Sequence, residues 1–161
     1  MIKITFYLFC FCLIFSSNCS AQKADTLIEK FHNTAFRISF DKKDILKSFV
    51  KYYNRMQLKY YGKTHYRTFT IVNPNEAFNQ FDFSNKIPDR RLICSSNGIF
   101  NNLYFIYFEK GGAVQGQKYL YIIEYLNNKV KTFVALSVQD DLKTYDGLKM
   151  AIMNKKYHIM Q

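Results

Sequence analysis

The chain has 161 residues and a formal net charge of +11, from 23 Lys and Arg against 12 Asp and Glu. This length suits one domain with its own hydrophobic core, for which 16 Phe and 13 Tyr supply large side chains. Three of the 4 cysteines lie within residues 1–21, so a chain without that segment keeps only Cys94, which excludes an internal disulfide. Its strand-like surroundings predict that Cys94 is a small buried apolar residue.

Residues 1–21 have the three-part pattern of a secretory signal peptide. Lys3 is the only charged residue, a short apolar segment follows it, and Cys19-Ser20-Ala21 has the small residues that predict cleavage before Gln22. We therefore expect a signal peptide over 1–21 and a single α+β domain over 22–161. The expected destination is the periplasm or the extracellular space.

The alternatives to a signal peptide are a transmembrane helix, a lipoprotein signal and a buried N-terminal strand or helix. The apolar segment from Ile4 to Phe15 is shorter than the roughly 20 residues that a transmembrane helix needs, so we expect no membrane span after cleavage. A lipoprotein signal would instead place an acylated Cys19 at the new N-terminus, but Ser16-Ser17-Asn18 lacks the aliphatic residue expected before such a cysteine. The third interpretation is an N-terminal strand or helix buried in the domain.

In the first part of the domain, the pattern predicts a short helix, a strand and a long helix. Asp25 is placed to cap the first helix, and the residues from Phe36 to Phe40 alternate between apolar and polar as in a strand. Asp41 is a candidate N-cap for a helix from Lys42 to about Lys59, and Gly62 ends the segment. The apolar stripe of that helix consists of Ile45, Leu46, Phe49, Val50, Tyr53 and Met56.

The rest of the chain is predicted to be mainly strands, followed by a helix. The strands are Tyr66–Val72, Leu92–Ser96, Leu103–Phe108, Lys118–Leu126 and Lys129–Val138. The dipeptides Asn97-Gly98 and Asn127-Asn128 predict tight turns, because Asn and Gly adopt positive φ readily. The continuously apolar strand Leu103–Phe108 is placed centrally in the sheet, and the last helix is predicted from about Asp140 to Lys156.

Consecutive strands joined by short turns favour an antiparallel sheet. The predicted fold is α+β: an antiparallel β-meander of about four to five strands, packed by the long N-terminal amphipathic helix and the C-terminal helix, with the helices on one face. This order of elements resembles the cystatin-like and NTF2-like architectures. The resemblance is one of element order alone.

The best-defined candidate site is a row of cations. The predicted helix from Lys42 carries a basic residue at every fourth position, which advances the row by about 40° per step around the helix, opposite the apolar stripe. Like charges at this spacing disfavour a helix by about a few tenths of a kcal/mol each. The alternative interpretation is the solvated polar face of an amphipathic helix. The candidate residues for binding an anionic partner are Lys47, Lys51, Arg55, Lys59 and Lys63.

Groups suited to catalysis are few, and their spacing is not that of a known site. The three histidines, His32, His65 and His158, are scattered, so we expect no metal site and no cofactor. Cys94 and His65 are formally a nucleophile and a base, but a buried, inert cysteine is the favoured interpretation.

Three further groupings have ordinary explanations. Glu109 and Glu124 lie on facing predicted strands, where paired carboxylates would suit acid–base catalysis, but surface ion pairs with neighbouring lysines are favoured. The glycine-rich segment Lys110–Lys118 resembles an anion-binding nest without the helix that normally follows one, so a flexible hairpin loop is favoured. Asp140-Asp141 are explained by helix capping and the helix dipole.

Two functional hypotheses follow. The leading one is a non-enzymatic exported domain that binds a protein or an anionic envelope component through its basic, tyrosine-rich face, with no specific nucleic-acid partner. The alternative is a small secreted hydrolase-type enzyme with a pocket between the sheet and a helix. A deep pocket lined by convergent His, Asp, Glu or Cys would favour the enzyme, and a filled core with an exposed basic patch would favour the binding module.

Overall fold

The structure is a computed structural model that describes residues 22–65, 68–80, 88–99, 101–111, 117–139 and 143–160. The predicted signal peptide, the middle of the glycine-rich loop and Asp140-Asp141 lie outside these residues. The elements in chain order are helix α1 (22–33), strand β1 (Phe36–Ser39), helix α2 (Lys47–His65), strands β2 (Arg90–Gly98), β3 (Leu103–Lys110), β4 (Gln117–Leu126) and β5 (Lys129–Val138), helix α3 (Tyr145–Met153) and strand β6 (Tyr157–Met160).

The strands form one sheet in the order β1-β2-β3-β4-β5-β6, and every neighbouring pair is antiparallel. The predicted α+β meander is therefore confirmed, with six strands among the described residues where about four to five were expected. Strand β3 lies inside the sheet, as its continuous apolar sequence indicates. Asn127 and Asn128, with φ of 49° and 58°, make the predicted turn between β4 and β5.

The helices cover both faces of the sheet, so the expectation that they share one face is wrong. Side chains of α1 and α3 pack with Phe105 and Tyr107 on one face. Side chains of α2 pack with Tyr104, Ile106 and Phe108 on the other. The reason is in β3 itself, because alternate residues of a strand point to opposite faces and all of these are buried.

Helix α2 begins later than its sequence pattern suggests. Asp41 does act as a cap, but it accepts from the backbone N–H of Lys43 and caps only the short 3-10 turn Lys42–Asp44. The extended backbone of Ile45, with ψ of 130°, separates this turn from α2. At the other end, Gly62 has φ of +67° and interrupts the helix where glycine predicted its end.

Three local predictions differ from the structure. In the described part of Tyr66–Val72 there is no strand, only a single bridge from Val72 to Arg91, while Phe69 packs beneath α2. Asn97 and Gly98 belong to the end of β2 rather than to a turn. The C-terminal helix starts at Tyr145, where Thr144 caps it, and not at Asp140. It is followed by strand β6, which the sequence did not predict because four residues are too few to show an alternating pattern.

The α2 face of the core is mainly aromatic. Phe49 of α2 lies at its centre, with ring centroids 5.6 Å from Phe69, 5.7 Å from Tyr121 and 6.1 Å from Phe133. Tyr53, one turn later, stacks on Tyr121 at 6.0 Å. Edge-to-face and stacked pairs of this kind add about 0.5–1.5 kcal/mol each beyond the burial of their area. These contacts fix which side of α2 faces the sheet.

Cys94 should be unreactive in the folded protein. Its side chain is 0% exposed, and burial raises the pKa of its thiol to about 12, so almost no thiolate forms near neutral pH. In a chain whose Cys10, Cys12 and Cys19 are replaced by Ser, a thiol reagent should label Cys94 slowly at pH 7–8 and rapidly in denaturant. Fast labelling of the native protein would show that the thiol is accessible and that its placement here is wrong.

The β4–β5 turn should tolerate glycine and reject a β-branched residue at position 128. A β-branched side chain with φ of 58° is strained, so Asn128→Val should lower the free energy of unfolding by about 1–2 kcal/mol. Asn128→Gly should leave it unchanged or raised, because Asn-Gly is a preferred pair for this type of turn. Denaturant titration measures both; equal stabilities of the two variants would contradict the turn.

Candidate functional site

The predicted cationic row is present on α2 and faces away from the sheet. Lys47, Lys51, Arg55 and Lys59 are all exposed, while Phe49 and Tyr53 on the inner side are buried and Met56 is half-buried. No Asp or Glu occurs in α2, and none of these four cations lies within 4 Å of a carboxylate in the described part of the chain. Among the described residues, no ion pair therefore neutralises the row.

The spacing of the row follows from helix geometry. A step of four residues rises about 6 Å along the helix axis, so the row from Lys47 to Lys59 spans about 18 Å. Lys63 is also exposed, but it follows the interruption at Gly62 and does not continue the same helical line. The structure thus brings four of the five predicted cations into one row and separates the fifth from it.

Exposed aromatic and apolar side chains lie only at the C-terminal end of this row. Tyr60 is 75% exposed, Tyr61 58% and Leu58 42%. Tyr52, by contrast, is half-buried against Phe133, with ring centroids 5.8 Å apart. In the described structure, exposed tyrosines therefore lie among the cations of the row only in the turn of α2 that precedes Gly62.

A buried cation, Arg90, went unrecognised in the sequence. Its guanidinium lies 5.1 Å from the ring centroid of Phe69 and 5.9 Å from that of Tyr53, and it pairs with Asp89 at 2.7 Å. Burial raises the pKa of Tyr121, and the nearby Arg90 charge acts in the opposite direction. Because Arg90 is only 6% exposed, it has a packing role beneath α2 and is closed to ligands.

The carboxylate pair considered for catalysis does not form. Glu109 lies opposite Lys118 near one end of the β3–β4 pair, and Glu124 lies opposite Leu103 at the other end. Glu109 bonds to the guanidinium of Arg91 at 2.6 Å. Glu124 accepts from Lys30 at 2.6 Å and Lys131 at 3.2 Å, and these contacts lower its pKa, the hydrogen bond from Lys30 most. Both carboxylates form ion pairs, Glu109 with Arg91 and Glu124 with Lys30 and Lys131, where surface pairing with neighbouring lysines was expected.

His32, His158 and Cys94 are not brought together either, and the side chain of His65 lies outside the described part of the structure. His32 lies exposed on α1 and His158 exposed on β6, where it contacts Gln139. Cys94 is sealed in the core on the α1 and α3 side of the sheet. Within the described ranges, no three His, Cys, Asp or Glu side chains are grouped so as to hold a metal ion.

An open cleft beside the first two strands was not foreseen. It has a volume of about 1160 Å³ and lies between residues 37–40, the 3-10 turn with Asp41 and Asp44, the loop 73–75 and residues 95–97 of β2. Its lining mixes charged, amide, hydroxyl and apolar side chains. No single motif signals it, because the contributing segments are far apart in the chain.

Comparisons with known proteins add no relationship: no family model matches the chain, nor does any curated protein or solved structure. Among the described residues, no helix combines the length and the apolar composition needed to cross a bilayer.

Proposed function

We propose that this protein is a non-enzymatic binding module, exported from the cell, that associates with an anionic envelope component through the cationic row of α2. The observation that carries the proposal is the row itself. Lys47, Lys51, Arg55 and Lys59 point outward from a helix that carries no acidic residue. An acid-free face of this length attracts an extended anionic surface by long-range electrostatics.

The aromatic end of α2 supports the same function. Tyr60, Tyr61 and Leu58 are exposed beside Lys59. Contact of their apolar surface with water is unfavourable, and a partner that covered it would lower the free energy. Tyr combines an apolar ring with a polar hydroxyl, which suits the boundary between water and a lipid or glycan surface. Charge would bring the module to the surface, and these side chains would add short-range contact.

The hydrolase alternative gains no comparable support from the described residues. Glu109 and Glu124 are occupied by ion pairs at opposite ends of their strands, and Cys94 is buried with a raised pKa. A nucleophile or general base needs access and a suitable pKa. We therefore put the binding function first.

Charge reversal on the row tests the proposal. Each Lys or Arg near an anionic membrane contributes about 1 kcal/mol, so Lys51→Glu with Arg55→Glu should weaken binding more than about tenfold. The measurements are co-sedimentation with vesicles containing phosphatidylglycerol and retention on heparin, each at low and high salt. Wild-type binding should weaken as salt rises, because salt screens exposed charges.

The matched control is Lys23→Glu with Lys129→Glu, which changes the net charge equally at exposed positions outside α2. It should bind nearly as wild type does, and both double variants should keep the wild-type melting temperature within a few degrees. Equal loss of binding in the two double variants would show that net charge, and not the position of the cations on α2, determines binding. Failure of the wild-type protein to bind either probe would overturn the proposed function.

A further inference from the structure

The open cleft beside β1 and β2 is distinct from the cationic row of α2. It forms on the α2 side of the sheet, where α2 itself gives no cover because it starts only at Lys47. Ser39 and Ser95 lie opposite one another in the β1–β2 pair and form part of its floor. A surface left open beside a packed aromatic core needs polar side chains, and these strands supply them.

The walls of the cleft are held in place by hydrogen bonds. Ser39 donates to Asp44 Oδ2 at 2.6 Å, and its Oγ accepts from the backbone N–H of Asp41 at 3.1 Å. Across the cleft, Asn73 Oδ1 accepts from the backbone N–H of Lys42 at 2.8 Å, which ties the loop to the 3-10 turn. The carboxylates of Asp41 and Asp44 are therefore held in position before any ligand arrives. This lowers the entropic cost of binding.

The floor of the cleft is closed by buried side chains. Ser95 is 0% exposed, and its hydroxyl interacts with that of the buried Tyr104. The Tyr104 hydroxyl also donates to the backbone carbonyl of Asp44 at 3.4 Å. A ligand in the cleft would therefore meet the exposed side chains of the walls and not this floor.

The mixture of groups selects the class of ligand. Arg37 is exposed and forms no ion pair with a described carboxylate, so it is a free donor, while Asp41 and Asp44 are fixed acceptors. Phe40 adds an aromatic ring that is 61% exposed. Two carboxylates against one guanidinium disfavour an anion, and the many polar groups disfavour an apolar ligand.

We propose that this cleft binds a neutral oligosaccharide. Sugar hydroxyls donate and accept at once, as the combination of Arg37 with the carboxylates of Asp41 and Asp44 requires. The C–H face of a sugar ring packs against an aromatic ring such as that of Phe40. Because the cleft is open to solvent, a chain of several sugars can extend beyond the residues that line it.

The test begins with the purified protein on a glycan array, followed by isothermal titration with the neutral oligosaccharides that bind. We expect Arg37→Gln, Asp44→Asn and Phe40→Ala each to weaken binding about tenfold or more, the loss expected for a hydrogen bond to a charged group or a stacked ring.

The matched control separates this site from the proposed function. Lys51→Glu with Arg55→Glu should leave oligosaccharide binding unchanged, and the cleft variants should leave vesicle and heparin binding unchanged. If no neutral glycan on the array binds, the inference is wrong. It is also wrong if a glycan binds but the three cleft variants bind it as wild type does, or if only the α2 variant loses it.

Discussion

The fold depends on the need to cover both faces of strands β3 and β4. Their central residues are buried without a break, so each face of the sheet exposes a continuous apolar surface until a helix packs on it. Helix α2 covers one face, and α1 with α3 covers the other. No helix is inserted between strands β2 to β5, so the covering helices come before β2 and after β5 in the chain.

This packing also decides what α2 presents to solvent. Phe49 and Tyr53 are held among aromatic rings of the sheet, so the helix has one rotational setting, and its cations at four-residue spacing must point outward. Arg90 adds a buried positive charge under the same helix, balanced by Asp89. The backbone positions of the row are thus fixed, and repulsion between neighbouring charges opposes the helix by about a few tenths of a kcal/mol per pair.

The cleft arises from the same arrangement. Because α2 begins only after the extended residue Ile45, it leaves the β1–β2 corner of its face open, and the serines and Asn97 there replace the aromatic residues found further along the sheet. The 3-10 turn and the loop at Asn73 then enclose that corner from above. The cleft thus follows from where α2 starts, and the cationic row follows from which side of α2 packs on the sheet.

The sequence by itself determined the meander, most strand positions, the Asn127-Asn128 turn and the exposed setting of the cations, because these follow from local periodicity and turn chemistry. Only the tertiary structure decided the three-layer arrangement, strand β6, the burial of Arg90 and the cleft. A short edge strand such as β6 has too few residues to show a period, and its pairing with β5 forms it. The cleft joins residues from three distant segments, and no local pattern encodes that proximity, since it depends on how the helices pack over the sheet.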